Sequence, residues 1–287
     1  MQFKVDESFD GIRLDNFIAK QFPEIGRSQA KKLCESNEVL INNKVSEATD
    51  HISIGDVITI KTKIAKPKYV DIDIPILYED KDCIVIDKPQ SILSHSKGRF
   101  NPEPTVASWL KKHVKDFTGE RDGIVHRLDR ATSGVMICAK NLDAYSWLQK
   151  QFSQRKVKKT YIALIAGKLD PSEAIIEMPI ERNPKAPATF RVGANGKYAK
   201  TYYLTLREEK KYSLLELRPE TGRTHQLRVH LKKLNHPIVG DTLYGGEKAN
   251  RLFLHAHKLE LKLPNGNQSV FISRVPVEFY KQLRNTS

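Results

Sequence analysis

Apolar residues recur at helical spacing over residues 12–22, where Ile12, Leu14, Phe17, Ile18 and Phe22 fall on one side before Pro23 and Gly26 stop the run. Ser28 is placed to cap a second, shorter helix, with Ala30, Leu33 and Cys34 on one side and Arg27, Lys31 and Lys32 on the other. Residues 39–42 and 57–60 read as short strands, the first turning at Asn42-Asn43-Lys44. Residues 61–75 are poor in apolar side chains and carry Lys61, Lys63, Lys66, Pro67 and Lys68, the composition of a linker. The pattern then changes. Residues 76–80 and 84–89 predict a strand pair around a turn at Lys81-Asp82. Helical spacing returns over 105–115 (Val106, Leu110, Val114) and 142–152 (Leu142, Tyr145, Leu148, Phe152). Between them the unbroken run Val135, Met136, Ile137, Cys138, Ala139 reads as a buried strand. After Thr160 strand patterns dominate, at 161–166, 199–206, 213–217 and 270–272. Many strands with a few helices, not strictly alternating, predict an α+β fold with a mixed, mainly antiparallel sheet and flanking helices.

At 287 residues the chain has room for two domains at about one per 150 residues, each able to bury its own core. The composition shift divides it into 1–62, a linker at 63–75, and 76–287. Charge sharpens the division. The chain carries +14 overall, yet residues 1–62 hold eight Lys and Arg against ten Asp and Glu, so the remainder carries +16. A polyanion is therefore expected on the second part, although solubility alone would also account for a basic chain. The three cysteines, Cys34, Cys83 and Cys138, lie far apart without a Cys-x-x-Cys pair, which argues against a zinc ribbon or redox dithiol and for a reducing cytoplasm. No window approaches the about 20 apolar residues of a membrane span, and the N-terminus lacks a signal core.

The segment His126-Arg127-Leu128-Asp129-Arg130-Ala131-Thr132-Ser133-Gly134 carries the clearest chemical signal. An aspartate set between two arginines and followed by a turn stays ionised, because opposite charge favours the anion. That suits it as a nucleophile or charge partner rather than a general acid. A bare surface turn with a salt bridge is the alternative. Arg228 and Tyr161 have bland readings too, as a structural ion pair and a half-buried strand residue. His225 with His230, or His255 with His257, would suggest a metal, but no third ligand or cysteine lies nearby in the sequence, so no metal is expected. No phosphate-cradling G-x-x-x-x-G-K-[ST] is present.

The H-R-L-D-x-x-T-S-G wording resembles the central motif of the RluA-type pseudouridine synthases. Other segments resemble the same family, in the family's order: Tyr78-Glu79-Asp80 with Ile84 to Pro89, Lys158-Lys159-Thr160-Tyr161, and Arg218-Pro219-Glu220-Thr221-Gly222-Arg223-Thr224-His225-Gln226-Leu227-Arg228-Val229-His230-Leu231. His236 to Asp241 and Leu252 to Ala256 extend the likeness, while Gln90-Ser91 departs from the small residue and glycine more usual there. At the N-terminus, Arg13-Leu14-Asp15, Arg27-Ser28-Gln29-Ala30 and Val39 to Lys44 resemble an S4 RNA-binding domain, a helix pair and a small sheet.

The resemblance implies an RNA pseudouridine synthase with no cofactor, in which Asp129 is the nucleophile, Arg228 pairs with it, and Tyr161 faces the uracil. Attack on the sugar and attack on the base both remain open. It implies further that Arg127 fills the space of a flipped-out uridine, a step that costs a few kcal/mol. His126, Arg130, Arg223, Lys158 and Lys159 are expected to meet the substrate, and Arg27, Lys31, Lys32 and Lys44 to give the S4 part a basic face. His126 also reads as a support for the loop, and the run Arg155, Lys156, Lys158, Lys159 also reads as a solvated helix end. Large-subunit ribosomal RNA is the expected substrate of a monomer, with transfer RNA as runner-up. A non-catalytic ribosome-assembly protein and an aspartate-dependent hydrolase are the competing classes. The latter has only Asp71-Ile72-Asp73 in its favour, and Ile74-Pro75 follows where a Gly-containing turn would be expected.

Overall fold

The computed structural model describes residues 1–22, 26–62, 72–95, 103–114 and 120–284. The expected linker at 63–75 lies outside them as far as Asp71. The described residues form two compact units, one within Met1–Asp71 and Ser96–Pro104, the other within Ile72–His95 and Thr105–Ser287.

The first unit is a helix pair with a four-stranded sheet. Strand β1 is Gln2–Lys4, helix α1 is Leu14–Gln21, α2 is Arg27–Glu35, and β2 (Val39–Ile41), β3 (Lys44–Val45) and β4 (Val57–Ile60) follow. The order is β1-β4-β2-β3, antiparallel throughout. Leu14, Phe17 and Ile18 of α1 meet Ala30 and Cys34 of α2 and Val39, Ile58 and Ile60 of the sheet in one core, as the apolar spacing requires. Helix α2 starts at Arg27 behind Gly26, not behind Ser28 as expected. Asn42 and Asn43 both adopt positive φ, the conformation that a tight two-residue hairpin turn demands. Asp15 is buried and receives hydrogen bonds from Arg13 and Arg27; burial alone would raise its pKa, but the two guanidiniums outweigh it and hold the carboxyl below its usual range.

The second unit is built on a nine-stranded sheet. In chain order it contains β5 (Ile76–Glu79), β6 (Cys83–Lys88), α3 (Val106–His113), β7 (Ser133–Ala139), α4 (Leu142–Ser153), β8 (Lys158–Ala166) and β9 (Glu173–Glu177). A separate hairpin, β10 (Ile180–Arg182) with β11 (Phe190–Val192), comes next. Then follow β12 (Lys200–Glu208), β13 (Tyr212–Pro219), α5 (Gln226–Lys233), β14 (Leu254–Lys262), β15 (Gln268–Ile272) and α6 (Val277–Leu283). The sheet order is β5-β6-β7-β14-β8-β13-β12-β9, with β15 on the far part of β14. Only the β7–β14 pairing is parallel, so the sheet is mixed and mainly antiparallel.

All seven residues of β7 are buried, which is why its sequence is a continuous apolar run without alternation. Each large side chain there, such as Ile137, contributes about 1.5–3 kcal/mol by burial. The capping residues set the helix starts: Thr105 and Ser108 bond reciprocally at α3, and Asn141 accepts from the Ala144 N–H at α4. Gly134 (φ +116°) is fixed by packing, because a Cβ there would overlap the Ala256 carbonyl of β14. The glycine that ends the H-R-L-D motif thus lets β7 and β14 come together.

Candidate active site

The loop into β7 holds its residues alternately inward and outward. His126 Nε2 accepts the Ile137 N–H at 3.1 Å, and its ring stacks on Phe152 with centroids 4.4 Å apart. Leu128 is buried, with Ser94 Oγ bonding both its N–H (3.0 Å) and its carbonyl (2.8 Å). The buried Lys88 ammonium donates to the carbonyls of Pro89 and Ile92 at 2.8 Å and reaches that of Arg130 at 3.4 Å. A turn bond from Thr132 N–H to the Asp129 carbonyl (3.0 Å) closes the segment. Asp129 therefore stands between two anchored neighbours, Leu128 and Arg130, with its side chain in a cleft of about 500 Å³.

Arg228 comes to the same cleft from α5, a helix in which Gln226, Arg228 and His230 are buried and each has bonded partners. Gln226 accepts from Thr221 Oγ1 and the Arg223 N–H and donates to the Lys200 carbonyl and Thr201 Oγ1. His230 bridges Thr201 Oγ1 and the Met178 carbonyl. The Arg228 guanidinium makes a two-pronged contact, but with Asp241: Nε to Oδ2 and Nη2 to Oδ1, both 2.7 Å. Toward Asp129 it offers Nη1 at 3.6 Å, an ion pair short of a hydrogen bond. The expected pairing of Arg228 with Asp129 is thus present, while the fork itself is held by Asp241, a partner that nothing local in the sequence signals. Gly240 (φ +82°) just before Asp241 lies against the Arg251 carbonyl, where no Cβ fits. Burial would lower the Arg228 pKa, but Asp241 and Asp129 outweigh it and raise it, so the guanidinium remains charged.

Tyr161 in β8 pairs across the sheet with Leu217 and Ala256 and lines the cleft. Burial, followed by the Asp129 charge, pushes its hydroxyl above the usual phenol range, so it is a neutral phenol at pH 7. Arg127, His126, Arg223 and Lys159 line the same cleft; Lys158 lines a neighbouring one, and Arg130 faces solvent outside the lining. Burial and then Arg155 lower Lys159 to about 8, and burial takes His126 down to about 3, so that ring is neutral. Lys88 falls to about 7 through burial, opposed by Asp129. In the first unit Arg27 is drawn to Asp15 and Lys31 to Glu35, while Lys32 and Lys44 are exposed.

His225, which the sequence places within the segment from Arg218 to Leu231 and for which no metal is expected, joins the same site. It lies 3.9 Å from Asp129 Oδ2 and bonds Tyr244 through Nδ1 at 2.8 Å. Among the described residues no group of three or more His, Cys, Asp or Glu is placed to hold a metal ion.

Residues 12–58 match the S4 domain family. The chain is 39% identical over 99% of its length to 92% of a Borreliella burgdorferi protein named ribosomal large subunit pseudouridine synthase D. It is 35% identical over 91% of its length to 86% of the Escherichia coli K12 protein of that name. The solved structure titled human RNA pseudouridylate synthase domain containing 4 superimposes with a TM-score of 0.59 at 28% identity, over 73% of this chain and 93% of that one. Residues 82–233, which run from the turn before β6 to the end of α5 and so include Asp129, Tyr161 and Arg228, match the family described as RNA pseudouridylate synthase, and the chain belongs to that family.

Proposed function

We propose that this RNA pseudouridine synthase modifies large-subunit ribosomal RNA, with Asp129 as the nucleophile. The observation that carries the reading is the Arg228 guanidinium, locked by Asp241 and set 3.6 Å from Asp129 in the cleft that Tyr161 lines. The reaction breaks the N-glycosidic bond of uridine, turns the base and rejoins it through C5, with loss of the C5 proton. It needs no redox step and no phosphate transfer. An ionised carboxylate at the sugar or the base starts it. Arg228 holds that carboxylate without occupying it, because the fork is already committed to Asp241. Tyr161, a neutral phenol, offers its ring face to the uracil and its hydroxyl to the base edge.

The uridine is flipped out of the RNA to reach the cleft. Arg127, exposed beside the nucleophile, takes the vacated place, and Lys158, Lys159, Arg223 and Arg130 meet neighbouring phosphates. The unit within residues 1–62 serves as the S4 RNA-binding part through Lys32 and Lys44, with Arg27 and Lys31 beside them. The catalytic part begins near Ile76. Asp129, Tyr161 and Arg228 all line one cleft of a single chain, which supports a monomer, and the three free cysteines support a reducing cytoplasm. The ribosomal substrate is supported by the names of relatives that match over nearly the whole chain. Mapping pseudouridines in ribosomal and transfer RNA from cells with and without this gene is the test. Sites lost from large-subunit ribosomal RNA are expected; losses confined to transfer RNA would overturn the substrate assignment.

A further inference from the structure

Building on Asp129 as the reacting carboxylate, we propose that His225 is a positioning residue for it: a neutral imidazole whose single proton is fixed on Nε2 by Tyr244 and aimed at Oδ2. The hydrogen-bond chain favours one tautomer. The Phe190 N–H of the β10–β11 hairpin donates to the Tyr244 hydroxyl at 3.0 Å. The phenol's own proton is then left for His225 Nδ1, 2.8 Å away, so Nδ1 accepts and the ring proton sits on Nε2. Nε2 is 3.9 Å from Asp129 Oδ2, the oxygen that Arg228 Nη1 also approaches. Both donors approach the same carboxylate oxygen, which leaves Oδ1 for the uridine. The 3.9 Å separation is of the kind that commonly tightens to a hydrogen bond in the reacting complex.

Backbone geometry gives an independent argument. His225 is left-handed (φ 55°, ψ 22°) immediately before α5, a position that glycine or asparagine would take with less strain. Strain of that kind is retained where the side chain is needed. The groups facing the ring are Asp129 and Arg127 from the motif loop, Arg228 from α5, and Tyr244 and Asp241 from the segment after it, with Phe190 edge-on at 5.6 Å. Burial lowers the imidazole pKa against the pull of Asp129, which keeps the ring neutral at pH 7. The Arg228 guanidinium lies 4.9 Å over the Tyr244 ring, so one tyrosine supports both donors to Asp129.

The test combines nitrogen NMR of ¹⁵N-histidine protein with tritium release from a large-subunit ribosomal RNA transcript carrying [5-³H]uridine. His225→Gln identifies the His225 signals. In the wild type, Nε2 is expected to carry the proton and Nδ1 none; Tyr244→Phe is expected to mix the tautomers. His225→Leu is expected to lower kcat at least about tenfold with KM within about twofold, since a hydrogen bond to a charged group is lost. His225→Gln, whose amide still reaches a carboxylate, should recover part of that loss. A proton on Nδ1 in the wild type, or a His225→Leu kcat within twofold of wild type, overturns the proposal. A wild type that releases no tritium refutes the substrate reading instead, and the tautomer then decides for or against the positioning role. Should a variant lose its cooperative melt, the wild-type tautomer decides likewise.

Discussion

Replacing Asp241 by asparagine tests how the site holds its charge. Asp241 is buried and gives Arg228 two bonds of 2.7 Å; asparagine keeps one acceptor and removes the charge. Breaking a buried pair outright costs about 3–5 kcal/mol, so retaining one acceptor should bring the loss to about 2–3 kcal/mol. At 2–4 °C per kcal/mol, the melting temperature should fall by roughly 4–12 °C. The effect on chemistry should be comparable in free energy to that on folding. At 3.6 Å and an effective dielectric near 20, Arg228 and Asp129 attract by about 5 kcal/mol. Freed from its anchor, the guanidinium closes that gap of under 1 Å and forks onto Asp129, occupying the oxygens the reaction needs. A displacement of about 1 Å costs on the order of 100-fold in rate. Single-turnover tritium release should therefore show Asp241→Asn about 100-fold slower, with RNA affinity unchanged by filter binding. A variant with wild-type rate, or one whose defect lies wholly in RNA affinity, would refute the reasoning.

Arg228→Ala should abolish turnover yet leave RNA affinity within about tenfold, because most affinity comes from phosphate contacts; a much larger loss in a binding assay would move Arg228 from chemistry to binding. Gly134→Ala should cost about 3 kcal/mol or more by urea unfolding, since the methyl group meets the Ala256 backbone at a positive φ; a loss below 1 kcal/mol would count against that packing. Lys159 is charged below about 8 and neutral above it, and phosphate favours the charged form. RNA affinity should thus weaken as pH rises through about 8 with proton uptake on binding, and Lys159→Met should flatten that profile in fluorescence titrations.

Much of this was legible in the sequence for identifiable reasons. Strands β6, β7 and β8 and helices α1, α3 and α4 carry apolar patterns that match their burial, and Asp129, Tyr161 and Arg228 sit in distinctive wording. Helix α5 is hidden in the sequence because its buried residues include the polar Gln226, Arg228 and His230, whose partners (Thr201, Asp241 and Met178 among them) lie elsewhere in the chain. Asp241 lies in a stretch that had been matched, but nothing local tells that its carboxylate will hold Arg228. His225 carries no local signal of its role, because its partners Tyr244 and Asp129 lie 19 and 96 positions away in the chain. The guanidinium that approaches Asp129 in space belongs to Arg228, 99 positions along the chain, while its sequence neighbour Arg127 is exposed. Ser28 failed as a cap because Gly26 supplies the extended residue before α2.

The central claim is that an ionised Asp129, steered by Arg228, isomerises uridine in RNA. Tritium release from [5-³H]uridine-labelled large-subunit ribosomal RNA, measured for wild type and Asp129→Asn at matched RNA occupancy, tests it most directly. Release by the wild type and none by the variant is predicted; equal release by both would contradict the account.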